Sequence, residues 1–230
     1  MEPTTSNKMR GLPWAVASDT LSGVYAALVM GSVLVLYLDE LGLGKAQIGL
    51  LQSIIHLVGP FGLLLAGFAS RFGFKRTFIV FYGSRKIVVV ALVIAPWSLE
   101  VYGVDGVFVL VLTIMAVYSV CRVMGEVAVY PWRHEYVPDA VRGRLEATIS
   151  VFNTLVGLAA VAAASHIIGS GASFGRFQVL ILVGAAFGMA SVLSKIPVPG
   201  GAPSPESTNL LPDRGRIAAV LSDRNFRRYM

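Results

Sequence analysis

Residues 106–129 read GVFVLVLTIMAVYSVCRVMGEVAV, a run of 24 residues in which the charged positions are Arg122 and Glu126. A bilayer core of roughly 30 Å is crossed by about 20 residues of helix, so this run has the length and apolarity of a transmembrane span. Ser119, Arg122 and Glu126 fall on one helical face, the last two as an i,i+4 pair. Working outward, five more blocks of the same kind appear, at approximately 18–38, 47–69, 77–97, 145–168 and 177–194. The segments between them are short. Asp39 to Ala46 carries Gly42 and Gly44, Ser70 to Arg76 is basic, and Ser98 to Asp105 is acidic. This spacing predicts an all-α, polytopic membrane protein with six transmembrane helices, each beside its neighbour in the chain.

Composition leads to the same expectation. The 230 residues are 55% hydrophobic and 14% charged, with mean hydropathy +0.71. Soluble domains carry about 25% charged residues, so this chain has too few to cover a water-facing surface. The net charge of +6 would suggest a nucleic-acid partner if the basic residues formed a patch. They fall between apolar blocks instead, so a lipid bilayer is the expected partner and nucleic acid is not. Cys121 is the single cysteine, which excludes a disulfide framework or a cysteine metal site within the chain. The first block is longer than a signal-peptide core and holds Asp19, so it is expected to stay in the mature protein. The chain has no glycine-rich phosphate loop, nucleophile elbow or His-Glu-x-x-His, so no enzymatic activity, cofactor or metal is expected.

Orientation follows from the basic residues, which remain on the cytoplasmic side of short loops. Of 19 Lys and Arg, 14 fall on the same side as the N-terminus and 2, Lys45 and Arg176, on the other, while Arg85, Lys86 and Arg122 lie inside blocks. The expectation is a multi-pass protein of the cell membrane with both termini cytoplasmic. Residues 1–17 form the N-terminal segment, 18–194 the bundle, and 195–230 a linker. The stretch from Ile196 to Pro205 is too rich in Pro and Gly to be helical. Arg214 to Leu221 is compatible with a short basic amphipathic helix, and the linker is expected to lead towards a second half.

Several local stretches carry a resemblance. Leu41-Gly42-Leu43-Gly44-Lys45-Ala46-Gln47-Ile48-Gly49 precedes the second block, and Gly67-Phe68-Ala69-Ser70-Arg71-Phe72-Gly73-Phe74-Lys75-Arg76 joins the second to the third. Arg122-Val123-Met124-Gly125-Glu126 lies in the fourth, and Pro138-Asp139-Ala140-Val141-Arg142-Gly143-Arg144 follows it. In this order and topology they resemble the N-terminal six-helix half of a major facilitator superfamily transporter. The loop motif on Gly67, Ser70, Arg71, Gly73, Lys75 and Arg76 departs from that family, because Ser70 stands where an aspartate is usual and Phe74 replaces a base. The implied latch between halves is weakened or built differently. The glycine after Arg122 sits one position early, and the fifth block lacks the glycine-proline element of many drug/proton antiporters.

A charge near the bilayer centre costs about 2.5–3.5 kcal/mol on insertion scales, so intramembrane charges must face protein or water. The resemblance implies that Asp19, Arg122 and Glu126 line a central cavity, where an arginine shared between two carboxylates would let protonation change the pairing. The alternative is mutual neutralisation of Arg122 and Glu126, with Arg122 snorkelling to the interface. Gln52 and His56 lie on a polar stripe of the second block with Gly49, Ser53 and Pro60, and His56 suits either a proton relay or a structural hydrogen bond. Gly59-Pro60 is expected to kink that block. Arg85 and Lys86 point about 100° apart, so one is expected to serve function and the other to snorkel or pair. Asn153 is a solute ligand or interhelical glue, and Gly184 with Gly188 a packing motif. The favoured function is secondary active transport of a small solute by alternating access, driven by protons or another coupling ion and completed by a C-terminal six-helix half. Two other classes stay open. One is a non-transporting membrane adaptor or assembly subunit, and the other an intramembrane enzyme built on Ser53 and His56.

Overall fold

The computed structural model describes residues 5–59, 62–169 and 173–203. Among them the regular structure is entirely helical: α1 Thr5–Val29, α2 Ser32–Glu40, α3 Lys45–Leu57, α4 Gly62–Phe72, α5 Phe74–Thr77, α6 Gly83–Val88, α7 Ala95–Tyr136, α8 Asp139–Gly169 and α9 Phe174–Ser194. A π-helical turn, Phe78–Tyr82, precedes α6 and a 3-10 stretch, Val89–Ile94, follows it. Among the described residues, four stretches are long and apolar enough to cross a membrane: Ser6–Glu40, Phe74–Tyr136, Asp139–Gly169 and Phe174–Ser194.

The six sequence blocks map unevenly onto these helices. The second block forms two shorter helices, α3 with 13 residues and α4 with 11; Pro60, to which the kink was ascribed, lies outside the described residues. The third and fourth blocks merge in the 63 residues Phe74–Tyr136, which turn back at Gly103 with φ +68°. A side chain is strained at that φ, so glycine makes the reversal. Beyond it the two arms run antiparallel: the Phe78 and Trp132 rings lie 5.7 Å apart, Gly125 packs on Tyr82, and the Arg85 guanidinium stands 5.7 Å from the Tyr118 ring.

Pro96 explains the irregular winding before α7. It has no N–H to donate to the Leu92 carbonyl, and its ring crowds that oxygen. The Tyr37 hydroxyl donates to Leu92 O at 2.8 Å instead, and Gln178 Nε2 donates to Val93 O at 2.9 Å. A backbone defect at membrane depth is thus closed by side chains from α2 and α9.

α1 is the central helix, packed on α9 and α8. Lipid tails are as apolar as leucine, so these contacts depend on close fit rather than on hydrophobic drive. Gly184 meets Val29, Gly188 meets Tyr25, and Gly23 meets Asn153. Two buried apolar clusters result. One surrounds Tyr37, Leu92, Met115 and Phe177 near the Gly103 turn; the other surrounds Phe78, Trp132, Tyr136 and Val198 at the Lys195 end.

Residues 195–203 lie across that second end as a strap. Trp132 Nε1 donates to Pro199 O at 2.9 Å, and Lys75 Nζ donates to Val198 O at 2.8 Å. The Lys75 amide donates to Gly201 O at 3.1 Å, while the Gly201 amide donates to Glu135 Oε2 at 2.6 Å. Gly73, with φ +96°, turns the chain so that Lys75 meets the strap. Ser70 is buried and donates back to Gly67 O at 3.0 Å, and Arg71 and Arg76 are exposed. The Arg214 to Leu221 segment read as an amphipathic helix lies outside the described residues.

Candidate functional site

A cavity of about 660 Å³ opens between α1, the π-helical turn, α7 and α8. α1 contributes Asp19, Ser22 and Gly23, the turn contributes Phe78 and Tyr82, α7 contributes Glu126, Tyr130 and Arg133, and α8 contributes Glu146, Ser150 and Asn153. Its volume is that of a small-molecule site. Of the residues singled out from the sequence, Asp19, Glu126 and Asn153 line it. Arg122, His56 and Gln52 do not: His56 is exposed near the end of α3, and Gln52 and Arg122 are half-buried. The Ser53 hydroxyl donates to Gly49 O at 2.9 Å, so it is engaged by its own helix rather than by His56.

The charges are arranged differently from the expected Asp19–Arg122–Glu126 cluster. Arg122 Nε donates to Glu126 Oε1 at 2.6 Å, as the i,i+4 spacing implies, and its Nη1 reaches the Ile55 carbonyl at 3.5 Å. Asp19 instead accepts from Arg133 Nη2 at 2.6 Å and from Lys195 Nζ at 2.7 Å. Arg133 Nε lies 3.3 Å from Glu146 Oε1. Asp19, Arg133, Glu146 and Lys195 therefore tie α1, α7, α8 and the end of α9 together at one corner of the cavity.

Sequence reading missed Arg133, Glu146 and Lys195 because hydropathy falls at Val129 and after Ser194, which placed both cations in connecting segments. α7 in fact continues to Tyr136, and the Lys195 side chain folds back until it is 1% exposed. A signal was present: Arg133 follows Glu126 by two turns, on the same helical face.

Asn153 presses against α1 where Gly23 has no side chain, and its Oδ1 has no hydrogen-bond partner.

Behind the cavity wall lie Arg85 and Lys86, 5% and 1% exposed. The divergence expected from their adjacency holds, yet neither snorkels nor pairs with a carboxylate among the described residues, whereas one of the two was expected to snorkel or pair. Arg85 turns towards α7, with its guanidinium 3.4 Å from the Tyr82 ring centroid. Lys86 turns towards α1, with Nζ 3.2 Å from the Tyr25 ring centroid and 5.0 Å from that of Tyr82. Gly188 makes room for the Lys86 stem. Neither forms an ion pair with a carboxylate among the described residues, and Arg85 Nε and Lys86 Nζ have no hydrogen-bond partner. Cation–π contact contributes about 2 kcal/mol when desolvated, less than the several kcal/mol that burying an ion costs.

Comparison with protein-family models, curated proteins and solved structures finds no match. The assignment of function therefore rests on the chain's own chemistry.

Proposed function

We propose that the protein is the N-terminal six-span half of a secondary transporter of the major facilitator type, in the cell membrane with both termini cytoplasmic, carrying a small solute by alternating access. The observation that carries this reading is the cavity itself. It is small-molecule sized, it reaches the middle of the helices, and its wall sets the ion pairs of Arg133 with Asp19 and Glu146 among apolar and aromatic side chains such as Phe78, Tyr82 and Ile149. Six crossings arise if α3 and α4 cross together and Phe74–Tyr136 crosses twice about Gly103. The 14-to-2 distribution of basic residues supports the orientation.

α8 supports the presence of a second half. Only 11% of its most apolar window is buried, against 39–44% in the other three membrane-length stretches. It forms one wall of the cavity while most of its surface remains bare, as expected for a helix shared with a facing bundle. Arg122 and Glu126 are a pair whose exchange, through proton entry on Glu126, would couple a driving ion to the movement.

Mass spectrometry of solutes accumulated from a cell extract by energised vesicles tests the reading. Vesicles are prepared from cells making the protein in its native genomic context, and from cells carrying Arg122→Ala or Glu126→Gln. At least one solute should accumulate saturably in wild type and fall tenfold or more in both variants. Identical solute profiles in all three would mean that the chain is an adaptor or assembly subunit.

A further inference from the structure

The cations and carboxylates around the cavity do not balance. Asp19, Glu126 and Glu146 stand against Arg122, Arg133 and Lys195, and every one of these six is in an ion pair. Arg85 and Lys86 remain as two buried basic side chains without a carboxylate partner among the described residues. A folded chain does not hold two such groups side by side away from water unless something compensates them, because an unpaired buried charge is disfavoured far more than a paired one. The tyrosine rings about them offset part of that penalty and leave their donors unused: Arg85 Nε and Lys86 Nζ are both buried and unpartnered.

Tyr82 connects this pair to the cavity. Its ring forms part of the cavity wall and covers the Arg85 guanidinium at 3.4 Å. Its hydroxyl lies 3.4 Å from Ser22 Oγ, a weak tether. Rotation of this side chain out of its stack on Phe78, 4.5 Å between ring centroids, would open Arg85 to the cavity. A guanidinium then offers parallel N–H donors in a plane that match the oxygens of a carboxylate or phosphate, and Lys86 Nζ, 5.0 Å from the Tyr82 ring centroid, is a second basic group nearby.

We propose that Arg85 and Lys86 form a binding site for a small oxyanion, entered from the cavity past Tyr82. That this anion is the carried solute rests on the transport reading above; the binding does not. Lipid phosphate is disfavoured as the occupant because both side chains are enclosed by the bundle rather than directed to its surface.

The test is thermal unfolding of the purified protein in maltoside micelles, which carry no phosphate. Inorganic phosphate and succinate are titrated separately against chloride at matched ionic strength. At least one should raise the apparent Tm saturably. Arg85→Gln and Lys86→Gln should each raise the half-effect concentration tenfold or more, whereas Arg142→Gln, in an exposed pair with Asp139, should respond as wild type. Should the glutamine variants not fold, Arg85→Lys keeps the buried charge without the planar fork, and the same tenfold weakening is expected. The proposal is overturned by no oxyanion response beyond chloride in wild type, or by an unchanged half-effect concentration in the Arg85 and Lys86 variants. It is also overturned if phosphatidylglycerol alone produces the Arg85-dependent rise. A lost oxyanion response with solute accumulation intact removes this assignment alone. A retained response with no accumulation by the vesicles removes the transport reading alone.

Discussion

Asp19 is the residue on which the most elements converge, since one carboxylate accepts from Arg133 on α7 and from Lys195 beyond α9. Replacing it with asparagine keeps the shape but leaves the enclosed Lys195 ammonium uncompensated. Removing one partner of a buried pair costs about 3–5 kcal/mol. With the Asp19 side chain 21% exposed, a loss of about 2 kcal/mol is expected. Glu146 is 48% exposed and 3.3 Å from Arg133, so Glu146→Gln should cost under about 1 kcal/mol. Thermal unfolding of the two variants side by side checks the order; equal losses would contradict it. At this scale the sequence singled out Asp19, Glu126 and Asn153, which line the cavity, because polar groups stand out in apolar blocks. It did not reveal Asp19's partners. Arg133 and Lys195 lie past the hydropathy boundary, and only their reach back along the helices brings them to the carboxylate.

At the scale of the element, glycine decides how closely helices approach. A methyl group on Gly184 would collide with Cγ2 of Val29, a β-branched side chain that has little freedom to move aside. Gly184→Ala should therefore destabilise the α1–α9 contact by about 1–3 kcal/mol. Gly157 on α8 has nothing within 4 Å of the same position, so Gly157→Ala should be neutral or stabilising by up to about 1 kcal/mol. Apparent melting temperatures of the two variants should move in opposite directions or differ by several degrees, and matching shifts would show that α1 and α9 do not pack in this way. The packing role of Gly184 and Gly188 was legible from their spacing. The continuity of Phe74–Tyr136 was not, because a lone glycine in an acidic connection gives no sign that helix resumes directly on both sides of the turn. Nor was the irregular winding of 78–94 visible. Pro96 marks where a backbone bond is lost, but Tyr37 and Gln178, which replace it, come from distant parts of the sequence.

For the whole molecule, the central claim is a membrane-embedded bundle whose cavity opens to the cytoplasm in the conformation described. The Asp19 corner and the strap over Trp132 lie at the Lys195 end, and the Gly103 turn at the other. In the proposed orientation, which rests on the 14-to-2 charge asymmetry, the Lys195 end is cytoplasmic. The measurement that tests this most directly is labelling by a membrane-impermeant thiol reagent, applied separately to right-side-out and inside-out vesicles in a Cys121→Ser background. Single cysteines are placed at Ala202 on the strap, Ser150 on the cavity wall and Tyr102 beside the turn, all three exposed. The account predicts that Ala202→Cys and Ser150→Cys react from the cytoplasmic face and Tyr102→Cys from the opposite face. Reaction of Tyr102→Cys and Ala202→Cys from the same face, or of Ser150→Cys only from the Tyr102 side, would contradict it.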